Sequence, residues 1–534
     1  MYKNYLLALL SGILLAISWP TDGFPLFIFI AFVPLLIAEN NLRQTNKKYK
    51  NLHSFLTSYA GFLLWNVYTT WWIWNSTAAG AIFALLVNSL LMAIVFQLYH
   101  IVALRKPLRF SLIFLISIWI GFEKFHLNWD FSWPWLNLGN VFSEYPQWIQ
   151  WYEYTGSFGG CLWILLVNVS IFSALISYQT NRDKKYLIKR LLLSFSLVVI
   201  GIYSSLYLYH SYREKGNPFK ALVLQPNTNP YTEKYAQSNT TTATELIALI
   251  NPKMDSEVQF ILAPETVLAE NISIPKFYKS KAYASLHSFL SQYPNTSLIT
   301  GASLYKVYNK AITPPSVTAN KFTNTNKLWY ESYNAALCIQ LNQKPEIYKK
   351  SKLVVGVEHF PFRSVLQPLL GDVMIDLGGS VSTLTPQKEV SVFKNPTNTL
   401  IAAPIICYET IYGEYIGKYI AKNANFLAII TNDSWWGNTQ GHKQLLSYAR
   451  LRAVEHRRSI ARSANSGISA FIDQKGTVIS HLDYETKGAL KGTIYANNTP
   501  TLYSKYGDYI ARVAQFVAII FLLIGLVVKK DYTD

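Results

Sequence analysis

Apolar residues fall along this chain in two rhythms. Up to about residue 210 they form long runs, near 4–20, 24–40, 55–74, 79–103, 109–125, 158–178 and 189–209, and one more lies near 508–528. Each approaches the roughly 17–25 residues that a helix needs to cross a bilayer. The first run could serve as a signal peptide, but SWPTDGF after it has no small-x-small cleavage site, so an uncleaved span is expected. From about 215 to 500 the runs shorten to strand length. FKALVLQPN, VQFILAPE, TSLITGASL, NAALCIQL, TLIAAPIICYE and NFLAIITND are rich in branched residues and read as strands. TTATELIALIN, KAYASLHSFLSQY, TIYGEYIGKYIAKNA and HKQLLSYARLRAVEHRR show helical spacing, and GISAFIDQKGTVIS predicts a hairpin turning at Lys475-Gly476. The expected organisation is a membrane domain of about seven helices over 1–212, a layered α/β domain over 215–500, and a C-terminal membrane helix over 505–530.

Charge sharpens that picture. Only 15% of the 534 residues are charged and 51% are apolar, against about 25% charged in a soluble protein. The net charge of +18 suggests nucleic acid or anionic lipid until its distribution is followed. Lys3 precedes the first span. Arg43, Lys47, Lys48 and Lys50 follow the second, and Arg105, Lys106 and Arg109 the fourth. Arg182, Lys184, Lys185, Lys189 and Arg190 follow the sixth, and Lys529 and Lys530 the last. With eight spans every cluster falls on one side, which predicts cytoplasmic termini and an external α/β domain. The spans show no paired intramembrane charges of the kind an ion-coupled path needs. Cys161, Cys338 and Cys407 have neither paired nor zinc-like spacing, and no HExxH is present, so no disulfide framework, metal or cofactor is expected.

Two strand-like runs stop abruptly at reactive residues: ILAPE at Glu265 and PIICYE at Cys407. A thiol at a strand-to-helix turn sits near backbone amides and a helix N-terminus, which favour a thiolate and a later oxyanion. Cys161, in an apolar span, and Cys338, in a strand, read as buried thiols without chemistry. Glu265 alone could equally cap a helix, and Lys350 in YKKSKL could belong to a solvated charge run with Lys349 and Lys352. Taken together, Glu, Lys and Cys make an acyl-transfer set of base, oxyanion cation and nucleophile.

In this order VQFILAPET, YKKSKLVVGVEHFPF, PIICYETIYGEY and TNDSWWG resemble the nitrilase superfamily of carbon–nitrogen hydrolases. With spans on both sides, nearly the whole chain resembles the membrane-embedded apolipoprotein N-acyltransferase family, and SWPWLNLGN also resembles a segment of it. The resemblance implies an αββα nitrilase-like sandwich beside the multi-pass helical domain. It implies that Glu265 is the general base, Lys350 the catalytic lysine with Lys352 as nearest competitor, and Cys407 the nucleophile. It matches Glu358, Tyr408 and Glu409 to supporting residues and Trp435 to the acyl groove. Two positions depart from the pattern. Val355-Gly356-Val357-Glu358 replaces Pro-Phe-Gly-Glu, and Lys234-Tyr235 stands where an aromatic Trp is frequent, which leaves Tyr235 as the lipid-site candidate.

The implied reaction is ping-pong. An acyl chain passes from a phospholipid, typically phosphatidylethanolamine, through a Cys407 thioester to the α-amine of a diacylglyceryl-cysteine apolipoprotein in the bacterial inner membrane. Glu265 needs a raised pKa to hold a proton between steps, which burial would supply. Lys350 and the Tyr408 amide would face the oxyanion, and Glu358 and Glu409 would orient Lys350. HFPFRSVLQPLLGDVMIDLGG is too apolar for an ordinary exposed loop and reads as a membrane-dipping lid led by Phe360 and Phe362. The alternatives are a membrane-tethered amidase, with the same three residues and water as acceptor, and a non-enzymatic transporter or scaffold, which the intact set argues against.

Overall fold

The computed structural model describes residues 2–46, 48–309, 313–322, 328–362 and 383–527. The chain divides into two compact units, one of Met1–Trp74, Gly80–Ser211 and Tyr506–Asp534, the other of Asn75–Ala79 and Tyr212–Lys505.

The first unit is helical. Helices Tyr2–Ser18, Val33–Arg43, Lys50–Thr70, Ala78–Ala103, Leu108–His126, Ser157–Asn181, Lys184–Ser211 and Tyr509–Val527 fall on the eight apolar runs, and a short 3-10 turn, Pro25–Phe29, precedes the second. Among the described residues, five segments are long and apolar enough by themselves to cross a membrane: Pro25–Arg43, Ala78–Ala103, Ser157–Asn181, Lys184–Ser211 and Tyr509–Val527. Polar side chains dilute two of the others. Lys50–Thr70 buries Ser54, Thr57, Ser58 and Asn66, and Leu108–His126 buries Ser111, Ser117, Glu123 and His126. These groups turn inward, and Asn66 Nδ2 donates to the Phe62 carbonyl at 2.9 Å. Gly12 and Gly61 let two helices touch, because a Cβ on Gly12 would collide with the Gly61 carbonyl.

The helices do contain charge pairs, contrary to the sequence expectation. Buried Glu39 lies 2.8 Å from His100 Nδ1 and accepts from Arg43 Nε at 3.1 Å, and Lys124 meets Asp508 at 2.8 Å. His100, in a helix, and Asp508, just before the helix Tyr509–Val527, are remote in sequence from their partners, so no local pattern announces them. Cys161 is likewise not idle. Its Sγ donates to Glu123 Oε2 at 2.9 Å, while Glu123 Oε1 accepts from Trp119 Nε1 and the Leu138 amide, both at 3.0 Å. These bonds fasten the SWPWLNLGN segment to two helices.

The second unit is two sheets packed face to face. Its strands are β1 Asn217–Gln225, β2 Val258–Leu262, β3 Leu268–Ser273, β4 Ser297–Asn309, β5 Asn320–Lys321, β6 Leu328–Ile339, β7 Glu346–Lys349, β8 Phe393–Lys394, β9 Ile401–Ile406, β10 Phe426–Thr431, β11 Ile460–Ala464, β12 Ser469–Ile472, β13 Val478–Leu482 and β14 Gly488–Ala496. Among the described residues one sheet runs β14-β1-β2-β4-β6-β5, with β3 on β4 and β7 on β6, and the other runs β13-β12-β11-β10-β9-β8. β1, β2 and β4 are parallel neighbours, as are β9, β10 and β11. Central strands are buried on both faces, so they read as continuous apolar runs. From β1, Leu222 and Leu224 join Leu246 and Leu286 of helices Asn239–Ile250 and Lys281–Leu290. On the opposite face, Phe219 and Phe260 meet Phe426 of the other sheet at ring distances of 4.8 and 5.0 Å. The expected hairpin is β12–β13, closed by Gly476 N donating to the Asp473 carbonyl at 3.0 Å. Short or polar β3, β7, β11 and β14 are strands that apolar patterning does not show. In β11, buried Arg462 is matched by Asp433 at 2.6 Å.

Candidate active site

Parallel β2 and β9 end where the two reactive residues begin. After β2, Ala263-Pro264 leads to Glu265, and Thr266 takes a left-handed φ of 44°. Gly301 permits this turn, since a Cβ there would strike the Thr266 amide and the Pro264 carbonyl. After β9, Cys407 has φ 50° and opens the 3-10 helix Cys407–Ile411. A β-carbon residue in that region is strained and persists only where its surroundings hold it. Glu409 does the holding. Its Oε2 accepts from the Ile406 amide at 2.8 Å, and its Oε1 from the Ser351 amide at 2.7 Å, the Lys352 amide at 3.2 Å and Tyr348 OH at 2.6 Å. One buried carboxylate thereby ties the nucleophile elbow to the Lys350 segment. Glu409 therefore orients the backbone beside Lys350 and not its ammonium, a correction to the sequence reading. Burial pushes Glu409 up to about 7, against donors that favour the carboxylate.

Lys350 is only 1% exposed and holds both other acids. Its Nζ lies 2.9 Å from Glu265 Oε1 and 2.9 Å from Glu358 Oε2. Asn334 Nδ2, from β6, donates to Glu265 Oε1 at 2.7 Å and to Glu358 Oε1 at 2.9 Å. The Asn432 amide donates to Glu265 Oε2 at 3.0 Å. The divergent segment before Glu358 folds into a turn with Gly356 at φ 79°, and Glu358 Oε2 accepts from the Val354 amide at 2.9 Å. Lys352, the competitor, instead lies over the Tyr412 ring at 4.9 Å.

The electrostatics reverse two expectations. Burial raises the Glu265 pKa, but Lys350, Asn334 and Lys234 outweigh it and hold the carboxyl below its ordinary range. Burial and the neighbouring Glu265 charge push the Cys407 thiol up, beyond what Lys350 and the bond to Thr431 recover. The resting pair is thus an ionised base and a protonated thiol. Proximity to a helix N-terminus does not decide the matter, because desolvation and a nearby carboxylate exceed it. Burial acts against the Lys350 charge, but Glu265 and Glu358 raise its pKa well above the usual value.

Tyr408 is buried with its ring edge-on to Tyr412 at 5.4 Å. Trp435 is half-buried and meets Tyr231 at 5.4 Å, whereas Tyr235 is 64% exposed. Phe360 is packed inside at 2% exposure, which corrects its assignment to lipid contact, while Phe362 is 44% exposed. Residues 363–379 of the expected lid lie outside the described residues. Three site residues escaped the sequence reading: Asn334, Asn432 and Lys234. Asn432 stands in the TNDSWWG segment, which was a usable signal, but Asn334 in the strand NAALCIQL gives none.

The chain matches two family descriptions, "Apolipoprotein N-acyltransferase N-terminal domain" over residues 11–170 and "Carbon-nitrogen hydrolase" over residues 229–502. It is similar to the apolipoprotein N-acyltransferases of Chlorobaculum tepidum (25% identical, covering 99% of this chain and 97% of that one) and Geobacter metallireducens (26%, covering 95% and 92%). Among solved structures, an amidase from Nesterenkonia sp. is 13% identical, with a TM-score of 0.36, covering 56% of this chain and 97% of that one.

Proposed function

The chain belongs to the carbon–nitrogen hydrolase family, and we propose that it uses this site as an acyltransferase, moving a fatty acyl chain from a phospholipid to the N-terminal amine of a lipoprotein. The observation that carries the mechanism is the closed group of Glu265, Lys350, Glu358 and Asn334 beside a thiol on a strained elbow. Glu265, already ionised, takes the Cys407 proton as Sγ attacks the ester carbonyl of the donor. Lys350 and the Tyr408 amide face the tetrahedral oxyanion. Its collapse breaks the carbon–oxygen ester bond, the lysophospholipid alkoxide takes the proton back from Glu265, and a thioester remains. The acceptor amine then attacks the thioester carbon and passes its proton to Glu265. The carbon–sulfur bond breaks, the thiol is reprotonated, and an amide is released. Ester plus amine has become alcohol plus amide.

A thioester suits this sequence because it is reactive towards an amine yet persists where water is excluded. Glu358 shares Lys350 with the base and so fixes the lysine while Glu265 changes charge. The donor we favour is phosphatidylethanolamine, and the site faces the outer side of a bacterial inner membrane with both termini cytoplasmic. One-sided clustering of Lys and Arg supports that orientation. The test is intact-mass measurement after incubation with phospholipid vesicles alone. The expected result is a gain of one acyl chain, absent in Cys407→Ala. Steady release of fatty acid with no adduct and no transfer to a lipopeptide amine would instead identify an amidase-like hydrolase.

A further inference from the structure

The buried cation the mechanism leaves unused is Lys234. It is 7% exposed, on the loop between β1 and helix Asn239–Ile250. Its Nζ donates to Thr266 Oγ1 at 2.5 Å, on the residue next to Glu265. The rings of Tyr235 and Trp435 each lie 5.7 Å from the ammonium. Among the described residues no carboxylate comes within ion-pair distance of it. Lys350 takes Glu265 and Glu358 for itself. A buried ammonium with one hydroxyl partner and two aromatic faces is costly unless another anion completes it.

The loop is not free to carry the charge out to solvent. The Asn227 amide donates to the Asn465 carbonyl at 2.9 Å, and Asn465 Nδ2 donates to the Thr228 carbonyl at 2.7 Å. The Lys234 amide donates to the Asn229 carbonyl at 3.0 Å. Asn465 also reaches Ser434 Oγ at 3.2 Å, beside Trp435, so the loops bearing Lys234 and Trp435 are fastened to one another. Outward from the ammonium, Tyr231 and Tyr235 stand 64% exposed, and Tyr231 meets the Trp435 ring at 89°. The arrangement is a fixed positive charge at the foot of an aromatic rim, which matches an amphiphile with an anionic centre and an apolar body.

We propose that Lys234, between Tyr235 and Trp435, is the anion subsite of the acyl-donor site and binds the donor's phosphate. This rests on the phospholipid reading above and adds where the headgroup is held. Burial brings the Lys234 amine down to about 8, against the charges of Glu265 and Glu358, while Lys350 lowers it further. A phosphate oxygen in hydrogen-bond contact would restore the ammonium, so binding and ionisation reinforce each other. Two N–H donors remain for that oxygen after the Thr266 bond. The rims of Tyr231 and Tyr235 would then flank the glycerol and the first methylenes.

The experiment compares wild type, Lys234→Gln and Lys234→Arg in single-turnover acylation of Cys407, read by intact mass. Two donors are used: phosphatidylethanolamine in mixed micelles and p-nitrophenyl octanoate, which has no phosphate. Lys234→Gln is expected to raise the half-saturating phospholipid concentration roughly 10- to 100-fold, the worth of one charge-assisted hydrogen bond. Because Lys234 also helps hold the Glu265 carboxyl down, the saturating rate should fall by the same factor with phospholipid and with the neutral ester, while the half-saturating concentration of the neutral ester stays within about threefold of wild type and an unchanged melting temperature shows that the variant is folded. Lys234→Arg should recover most of the affinity. An equal rise in half-saturating concentration with both donors would overturn the subsite and leave Lys234 only a charge partner of the reacting groups. No change with either donor would overturn it as well. Inhibition by inorganic phosphate at micromolar concentration would assign the subsite to a free anion instead. If wild type is acylated by the neutral ester but never by phospholipid, the donor reading itself fails, which Lys234→Gln alone cannot mimic.

Discussion

At the scale of residues, the site is defined by who holds which proton. The Cys407 thiol is pushed up by burial and by Glu265, and Glu265 is held down by Lys350 despite its own burial. The thiol therefore stays protonated at neutral pH, and raising the pH should increase the thiolate fraction. Alkylation of Cys407 by iodoacetamide should be slow at pH 7 and climb through the alkaline range. A plateau reached below pH 7 would mean a preformed thiolate and contradict these electrostatics. Lys350 and Lys352 should separate sharply. Lys350→Ala removes the oxyanion cation and should cost roughly 10²–10³ in acylation rate. It also leaves Glu265 and Glu358 buried with no cation between them, so the melting temperature should fall too. Lys352→Ala, which loses a contact over Tyr412, should change the acylation rate by less than about threefold. A larger loss for Lys352→Ala would move the catalytic lysine.

At the scale of elements, the chemistry depends on how two parallel strands end. Both exits use left-handed backbone at residues with side chains, Thr266 and Cys407, the first braced by a residue of another strand and the second by a residue of its own turn that grips another segment. Gly301 of β4 is the brace for the first. Gly301→Ala would drive a Cβ into the Thr266 amide and the Pro264 carbonyl, so the turn or the strand must shift. The expected cost is about 1–3 kcal/mol in urea unfolding, with acylation lost beyond what stability explains, because Glu265 moves with the turn. Unchanged acylation in Gly301→Ala would show that the base tolerates displacement. The second brace is Glu409, whose acceptors join Ile406 to Ser351 and Lys352. Glu409→Gln puts an NH2 against backbone donors and should lower stability by about 1–3 kcal/mol. These braces were legible only in part. Tyr408-Glu409 after the apolar run marks the elbow, but nothing local says which strand or loop Glu409 grips.

At the scale of the whole molecule, the acyltransferase combines a helical unit with a two-sheet unit, and its orientation can be tested without reference to the site. In cells expressing the cysteine-free Cys161→Ser, Cys338→Ser, Cys407→Ser protein, an impermeant maleimide should label Glu144→Cys but neither Thr45→Cys nor Tyr186→Cys. External labelling of Tyr186→Cys would reverse the topology and the compartment of Cys407. The sequence alone determined the elements whose signal is local. Eight apolar runs, the alternation of short strands with helices, and the abrupt ends at Glu265 and Cys407 can all be read within a few residues, because span length, strand patterning and turn chemistry are near-neighbour properties. Polar strands such as β11 were missed, because Arg462 is compatible with a core only once Asp433 is opposite. Tertiary structure decided the rest. Lys350 meets Glu265 across 85 residues of chain and the Asn432 amide meets it across 167, so their convergence is a property of sheet order. The same convergence set the protonation states. Burial alone raises both Glu265 and Cys407, and only the placement of Lys350 against one carboxylate, nearer in effect to Glu265 than to the thiol, separates an ionised base from a protonated nucleophile.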